Sequence, residues 1–292
     1  MGTLRIKGVI KVGKNKKLRS FMFHFFTIIL GLIMIYPLLW LVSSSFKTNS
    51  EIFVNSYSLI PKHWDIVKNY SSGWKGIGGV SFGTFMWNSV IVAVIGTVGG
   101  VFSSVIAAYA FARIKFFGKN FWFFCVMMTL MVPNQVMVVP QFIIFKKLGL
   151  INNIASLIIP WVFGSAFFIF LTVQFIRGLP IELDEAAEID GCSKIQTFTK
   201  IIFPLVVPAV ITSTIFSFYW IWQDFFQPLI FMSNPRHFTV SLALNLYLDP
   251  NSFNNYGGML AMSVVSLVPV VVIFLIFQKQ LVEGVATSGL KD

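Results

Sequence analysis

The sequence predicts an all-α membrane protein: a polytopic helical bundle with about six transmembrane helices. Of the 292 residues, 56% are hydrophobic and only 11% are charged, whereas soluble domains carry about 25% charged residues. Mean hydropathy is +0.80. Several apolar runs exceed the roughly 20 residues that cross a hydrocarbon core as a helix. Alternating ten-residue segments, which would suggest a membrane barrel, are absent.

Residues 1–20 form a basic N-tail with Arg5, Lys7, Lys11, Lys14, Lys16, Lys17 and Arg19. The first apolar run, 21–45, is too long for the core of a cleaved signal and reads as a retained anchor. Further spans are expected at 85–111, 120–144, 154–177, 204–231 and 259–278, so residues 21–292 make one membrane domain. Outer loops fall at 46–84 and 232–258, an acidic cytoplasmic loop at 180–204 and a cytoplasmic C-tail at 279–292. With both termini cytoplasmic, 15 of the 22 Lys and Arg lie inside, as the positive-inside rule requires. Lys146 and Lys147 fall outside, against the trend. The net charge of +11 therefore sets topology in a lipid bilayer. It forms no basic groove with interleaved aromatics, and nucleic acid is not an expected partner.

Five of the eleven acidic residues, Glu182, Asp184, Glu185, Glu188 and Asp190, fall in nine consecutive positions. Hydrocarbon does not tolerate such a cluster, so it lies in water or against another protein. Pro180 suits a first helical turn, and the acids after it complement the positive end of the helix dipole. Gly191 supplies a left-handed stop. Ser193 and Gln196 form a capping box, and Pro204 marks the start of the next span. The expectation is two short helices joined at a glycine elbow, with Ala186 and Ala187 as a smooth patch on which a partner closes. An ordinary solvated loop shares this local pattern, and the residues alone leave both readings open.

Catalytic chemistry is not visible. Cys125 and Cys192, like His24, His63 and His237, are scattered without metal-ligand spacing, so no metal site is expected. Residues Gly8 to Asn15 approach the phosphate-loop pattern, but Asn15 lacks the hydroxyl that meets Mg²⁺. No enzyme activity and no cofactor are expected in this chain. Asn134 and Gln135, between Pro133 and Pro140, either line a solute path or pair with a neighbouring helix. Asp224, with Gln223 and Gln227, lies 20 residues beyond Pro204, about 30 Å along a helix. That places it at the outer interface, as a hydrated helix end or as the rim of a solute path. Trp87, Trp161, Tyr219, Trp220 and Trp222 either anchor spans at the interface or offer flat faces on which a ligand stacks. The outer loop 232–258 is rich in turn formers and reads as a connector or as a ligand-facing probe.

The run Glu185-Ala186-Ala187-Glu188-Ile189-Asp190-Gly191, with Pro204 beyond it, resembles the EAA loop of ABC-importer permeases. Met131-Val132-Pro133-Asn134-Gln135, Leu148-Gly149-Leu150, Arg177-Gly178-Leu179-Pro180, Trp222-Gln223-Asp224-Phe225 and Gln280-Leu281-Val282-Glu283-Gly284 occur around it in order. The set, over about 20–292, resembles the carbohydrate branch of that family, the maltose-type, MalG-like permeases of binding-protein-dependent systems. Cys192 and Phe203 stand where Ala and Leu are usual. The resemblance implies an ATP-driven importer of sugars or oligosaccharides in a bacterial inner (plasma) membrane. Its partners would be a second permease, two cytoplasmic ATPase subunits that bind ATP and Mg, and an extracytoplasmic solute-binding protein. Glu185 would then be a charged contact, Ala186 and Ala187 a close fit and Gly191 the elbow, with Glu188, Asp190 and Pro204 in the same coupling loop. It also implies that the C-tail reaches between the ATPase subunits, and that Phe253, Asn254, Asn255 and Tyr256 probe the docked binding protein. A secondary carrier or channel without ATPase partners, or a scaffold recruiting a cytoplasmic protein, would also suit such a chain.

Overall fold

A computed structural model describes residues 13–247 and 255–289, and side chains within 18–279. Helix α1 (Gly13–Ser44) starts before the expected position 21, so the end of the basic N-tail is helical, while residues 1–12 lie outside the described residues. From Leu18 on, α1 is largely apolar and its most apolar stretch is unburied in the chain, while Ser43 and Ser44 at its end are buried. It packs along the last helix and leaves most of its surface for lipid or for other subunits.

The loop 46–84, expected on the outer side, is a folded cap containing α2 (Asn49–Val54) and α3 (Ile66–Trp74). Lys47 is fully buried, and its ammonium donates to the carbonyls of Asn55 and Ser58. The Glu51 carboxylate accepts from the Lys62 and His63 amides at 2.7 and 3.1 Å. Asn69 ties α3 to the end of α1 through the Ser45 and Lys47 carbonyls, at 2.9 and 2.8 Å.

Helix α4 (Phe82–Arg113) runs unbroken through the centre of the bundle. Two apolar cores form at its opposite ends. One surrounds Phe82, Phe85 and Phe231; the other surrounds Tyr109, Val173 and Val206.

The remaining spans depart from straight rods. Instead of one helix over 120–144, α5 (Lys119–Thr129) and α6 (Asn134–Lys147) meet at a 99° bend. Pro133 is the cause: it has no N–H to donate and it drives Val132 out of helical conformation. Among the described residues, five helices are thus long and apolar enough to cross a membrane, or six if this bent pair counts as one.

The fourth span is also interrupted, between α7 (Ala155–Val162) and α8 (Ala166–Arg177). The backbone groups freed there must be satisfied by protein. Two serines of α4 do this: Ser103 Oγ donates to the Val162 carbonyl at 2.7 Å, and Ser104 Oγ accepts from the Ser165 amide at 3.0 Å. Close approach makes it possible, since a Cβ on Gly100 would lie 2.6 Å from the Trp161 carbonyl oxygen.

Helix α9 (Glu182–Ile189) is followed by α10 (Lys194–Gln196), a π-helical turn over Thr197–Ile202 and α11 (Phe203–Gln223). The expected second short helix is therefore the opening of one continuous helix from Lys194 to Gln223. Pro204 does not end it, because the widened turn accommodates a residue with no N–H and a ring that crowds the preceding carbonyls. The expected span 204–231 instead stops at Gln223, and α12 (Phe226–Phe231) begins anew after Asp224. The outer loop carries α13 (Val240–Leu246), and α14 (Tyr256–Gly289) closes the fold. The expected C-tail is thus a helical continuation of the last span as far as Gly289, and Gly284 does not interrupt it.

Candidate coupling elbow and solute cavity

The acidic loop is built from its own backbone outwards. Glu182, Asp184 and Glu185 occupy the first turn of α9, where the dipole favours them. At its end the Gly191 amide donates to the Glu188 carbonyl and the Cys192 amide to that of Ala187, at 3.1 and 2.9 Å. Gly191 has φ +76° with open space around it, so conformation, and not room, requires glycine there. The capping box closes from both sides: Ser193 Oγ accepts from the Gln196 amide, and Gln196 Oε1 accepts from the Ser193 amide. Lys194 pairs with Glu188 at 3.0 Å across the elbow, an exposed bridge that water and salt screen.

Helix α4 grips this elbow from behind. Arg113 Nε lies 2.9 Å from Asp184 Oδ2, with side chains 9% and 14% exposed, and Nη2 donates to the Leu179 carbonyl at 2.9 Å. On the other side of the glycine, Tyr109 donates to the Lys194 carbonyl at 3.1 Å. Ala187 is 2% exposed and packs inward, so the expected two-alanine patch is reduced to Ala186. The outward face comprises Glu185, Ala186, Glu188, Asp190 and Gly191. Ile189 and Ile195 join it, 87% and 75% exposed. Pro204 lies beyond the π-helical turn, in the first turn of α11. Sequence reading counted Arg113 only as a topology signal and passed over Tyr109 and the isoleucines. Apolar residues inside an acidic loop were the available clue.

The polar residues expected along a solute path come together. Asn134, Gln135, Gln223, Asp224 and Gln227 line one cavity of about 480 Å³, with Trp161 and Trp220. An adjoining cavity of about 560 Å³ shares Asn134, Trp161, Trp220 and Gln227, and adds Gln141. The Pro133 bend turns Asn134 and Gln135 towards α11, and the stop at Gln223 turns Asp224 and Gln227 to meet them. Asp224 Oδ1 caps α12, accepting from the amides of Phe226 and Gln227 at 3.1 and 3.3 Å. Phe168 stacks on Trp220 at 5.3 Å and holds the indole in place. The other aromatics act elsewhere: Trp222 stacks on Phe218 inside the core, while Trp87 and Tyr219 are exposed.

In the outer loop, Phe253 and Asn254 lie outside the described residues. Asn255 is engaged within the chain, accepting from the Gly258 amide and donating to Ser72 Oγ, both at 2.9 Å. The Tyr256 ring meets Phe53 edge-on at 4.8 Å.

Comparison with known proteins gives a consistent result. Residues 99–287 match the family described as binding-protein-dependent transport system inner membrane component. The chain is 36% identical over 257 residues to the probable ABC transporter permease protein YurM of Bacillus subtilis (strain 168), covering 88% of this chain and 83% of that protein. It is 32% identical over 265 residues to the arabinooligosaccharides transport system permease protein AraQ of Halalkalibacterium halodurans, covering 90% and 93%. A solved bacterial ABC transporter involved in the import of the acidic polysaccharide alginate contains a chain of the same fold. Its TM-score is 0.78 at 22% identity, covering 91% of this chain and 97% of that one. A helical bundle with an acidic glycine elbow, matched to that family over most of its length, identifies this chain as a multi-pass inner membrane component of a binding-protein-dependent ABC transport system.

Proposed function

We propose that this chain is one of two permease subunits in an ATP-driven importer of sugars or oligosaccharides. A pair of cytoplasmic ATPases would supply the energy and a solute-binding protein would deliver the cargo outside. The observation that carries the reading is the elbow: an exposed acidic and apolar face at a left-handed glycine, fixed from behind by Arg113 and Tyr109. A solvated connector needs neither the clamp nor the exposed isoleucines. Relatives named for arabinooligosaccharides and for multiple sugars support the substrate class. In this reading both termini and the elbow are cytoplasmic. Glu185 and Ala186 contact the ATPase, and Gly191 keeps the turn while the subunit is pushed. Rigid-body movement of the spans then exchanges inward- and outward-facing states. ATP and Mg belong to the partner subunits. Phe253 and Asn254 are the residues left to enter a docked binding protein, since Asn255 and Tyr256 are engaged by the cap.

Purification of the tagged chain from its host, followed by reconstitution into liposomes, tests this. Co-purification of an ATPase and a second permease is expected, with saccharide uptake only when ATP and binding protein are both present. Uptake by the chain alone would make it a carrier. Partners without solute movement would make it a scaffold.

A further inference from the structure

The two adjoining cavities carry more than a path. We infer that this chain has its own binding subsite for a neutral saccharide, between the Pro133 bend and the Asp224 break, selective against acidic sugars. This rests on the importer reading above and adds to it which subunit holds the cargo and of what charge.

Two features point to a polyhydroxylated ligand. Gln141 Oε1 and Gln227 Oε1 are buried without a hydrogen-bond partner among the described residues, and both residues line the recess. Neither oxygen has accessible surface as it stands, so each costs stability until its amide turns into the recess and meets a hydroxyl there. Asn134 adds a further amide to the shared wall. Trp161 and Trp220 supply broad apolar surfaces beside these amides, and Phe168 fixes one of them. A sugar ring presents C–H faces to indoles and hydroxyls to amides, so it satisfies both sets at once. Each cavity falls within the roughly 300–1,000 Å³ typical of small-molecule sites.

Charge sets the selectivity. Among the described residues, Asp224 is the only ionisable one lining either cavity, and none of the lining residues is a Lys or Arg. Its Oδ1 is taken by the α12 cap, while Oδ2 accepts nothing from the described residues and is available to a sugar hydroxyl. A uronate carboxylate entering the recess would meet this like charge in a partly desolvated site with no cation to offset it.

The test uses the complete importer for uptake and the same complex without its binding protein for equilibrium binding. The probes are radiolabelled maltotriose and arabinotriose, which are neutral, and trigalacturonate, which is acidic. Wild type should bind a neutral probe at least tenfold more tightly than trigalacturonate. Gln227→Leu and Gln141→Leu should weaken neutral binding about five- to tenfold with no loss of thermal stability, because each removes an unpaired buried polar atom. Asp224→Asn keeps an acceptor at the cap and removes the charge, so discrimination against trigalacturonate should collapse. Uptake without binding to the permease complex would overturn the inference and leave the importer reading standing. So would tighter binding of trigalacturonate by wild type, or affinities unchanged in the three variants. If no probe is taken up by the complete importer, the importer reading fails and the subsite with it.

Discussion

Arg113 is the residue on which the elbow depends, because its guanidinium holds Asp184 and the Leu179 carbonyl together while mostly shielded from water. Truncation would leave a carboxylate with low exposure and no partner. Arg113→Ala should therefore lower stability by about 1–3 kcal/mol, read as a reduced melting temperature of the purified complex. Double substitution with Asp184→Asn should cost less than the two single effects added together. Gly191 is demanding for a different reason. Proline fixes φ near −65°, incompatible with +76°, and it removes the amide that donates to Glu188. Gly191→Pro should raise the ATP hydrolysed per sugar imported at least severalfold; an unchanged ratio would show that the turn has no part in coupling. The capping box and the left-handed glycine were legible in the sequence because their partners lie within a few positions. The Arg113–Asp184 pair was not, since it joins two spans that only the tertiary fold brings together.

At the level of elements, apolar length predicted where spans lie but not where they break. Pro133 gave a readable signal for the bend between α5 and α6, whereas the interruption at Gly164 had none strong enough. Its support comes from Ser103 and Ser104 on another helix, and no local pattern contains that information. Asp224 was expected about 30 Å beyond Pro204 within a span running to 231; that α11 stops at Gln223 and Asp224 caps a new helix depends on a backbone turn that composition does not encode. The serine bracket is directly testable. Ser104→Ala removes the acceptor for the Ser165 amide in a place that water cannot easily reach. Stability should fall by about 1–3 kcal/mol, measured by thermal unfolding in detergent. Ser103→Ala should cost less than this, because a carbonyl missing one donor is penalised less than an orphaned N–H.

At the scale of the molecule, the outer cap joins the end of α1, α3 and the start of α14 around buried polar groups. Glu51 is the buried carboxylate among them. The Lys62 amide, its strongest influence, holds the carboxylate below the ordinary range; burial opposes this, and the His63 amide adds to the lowering. A depressed folded-state pKa stabilises the cap above the unfolded value, near pH 4.3, and that contribution is lost as pH falls through the folded value. The cap should therefore become protease-sensitive in acid, and Glu51→Gln should remove that pH dependence; identical acid profiles for variant and wild type would contradict it. Helix α4 has a wider consequence. It is the one long central helix flanked by spans that bend, and its 32 residues extend about 48 Å. Arg113 and Tyr109 fix one end to the elbow, Gly100 lies against the Trp161 carbonyl along its length, and Asn88 near the other end bonds the Arg236 and Phe238 carbonyls. In the proposed importer such a helix would work as a transmission shaft with little slack: a tilt imposed at the elbow would reach the indole wall of the cavity and the loop that Asn88 holds in the same movement. On that reading, grip on cargo and contact with a protein docked outside would be geared to one displacement and could not be reset one at a time.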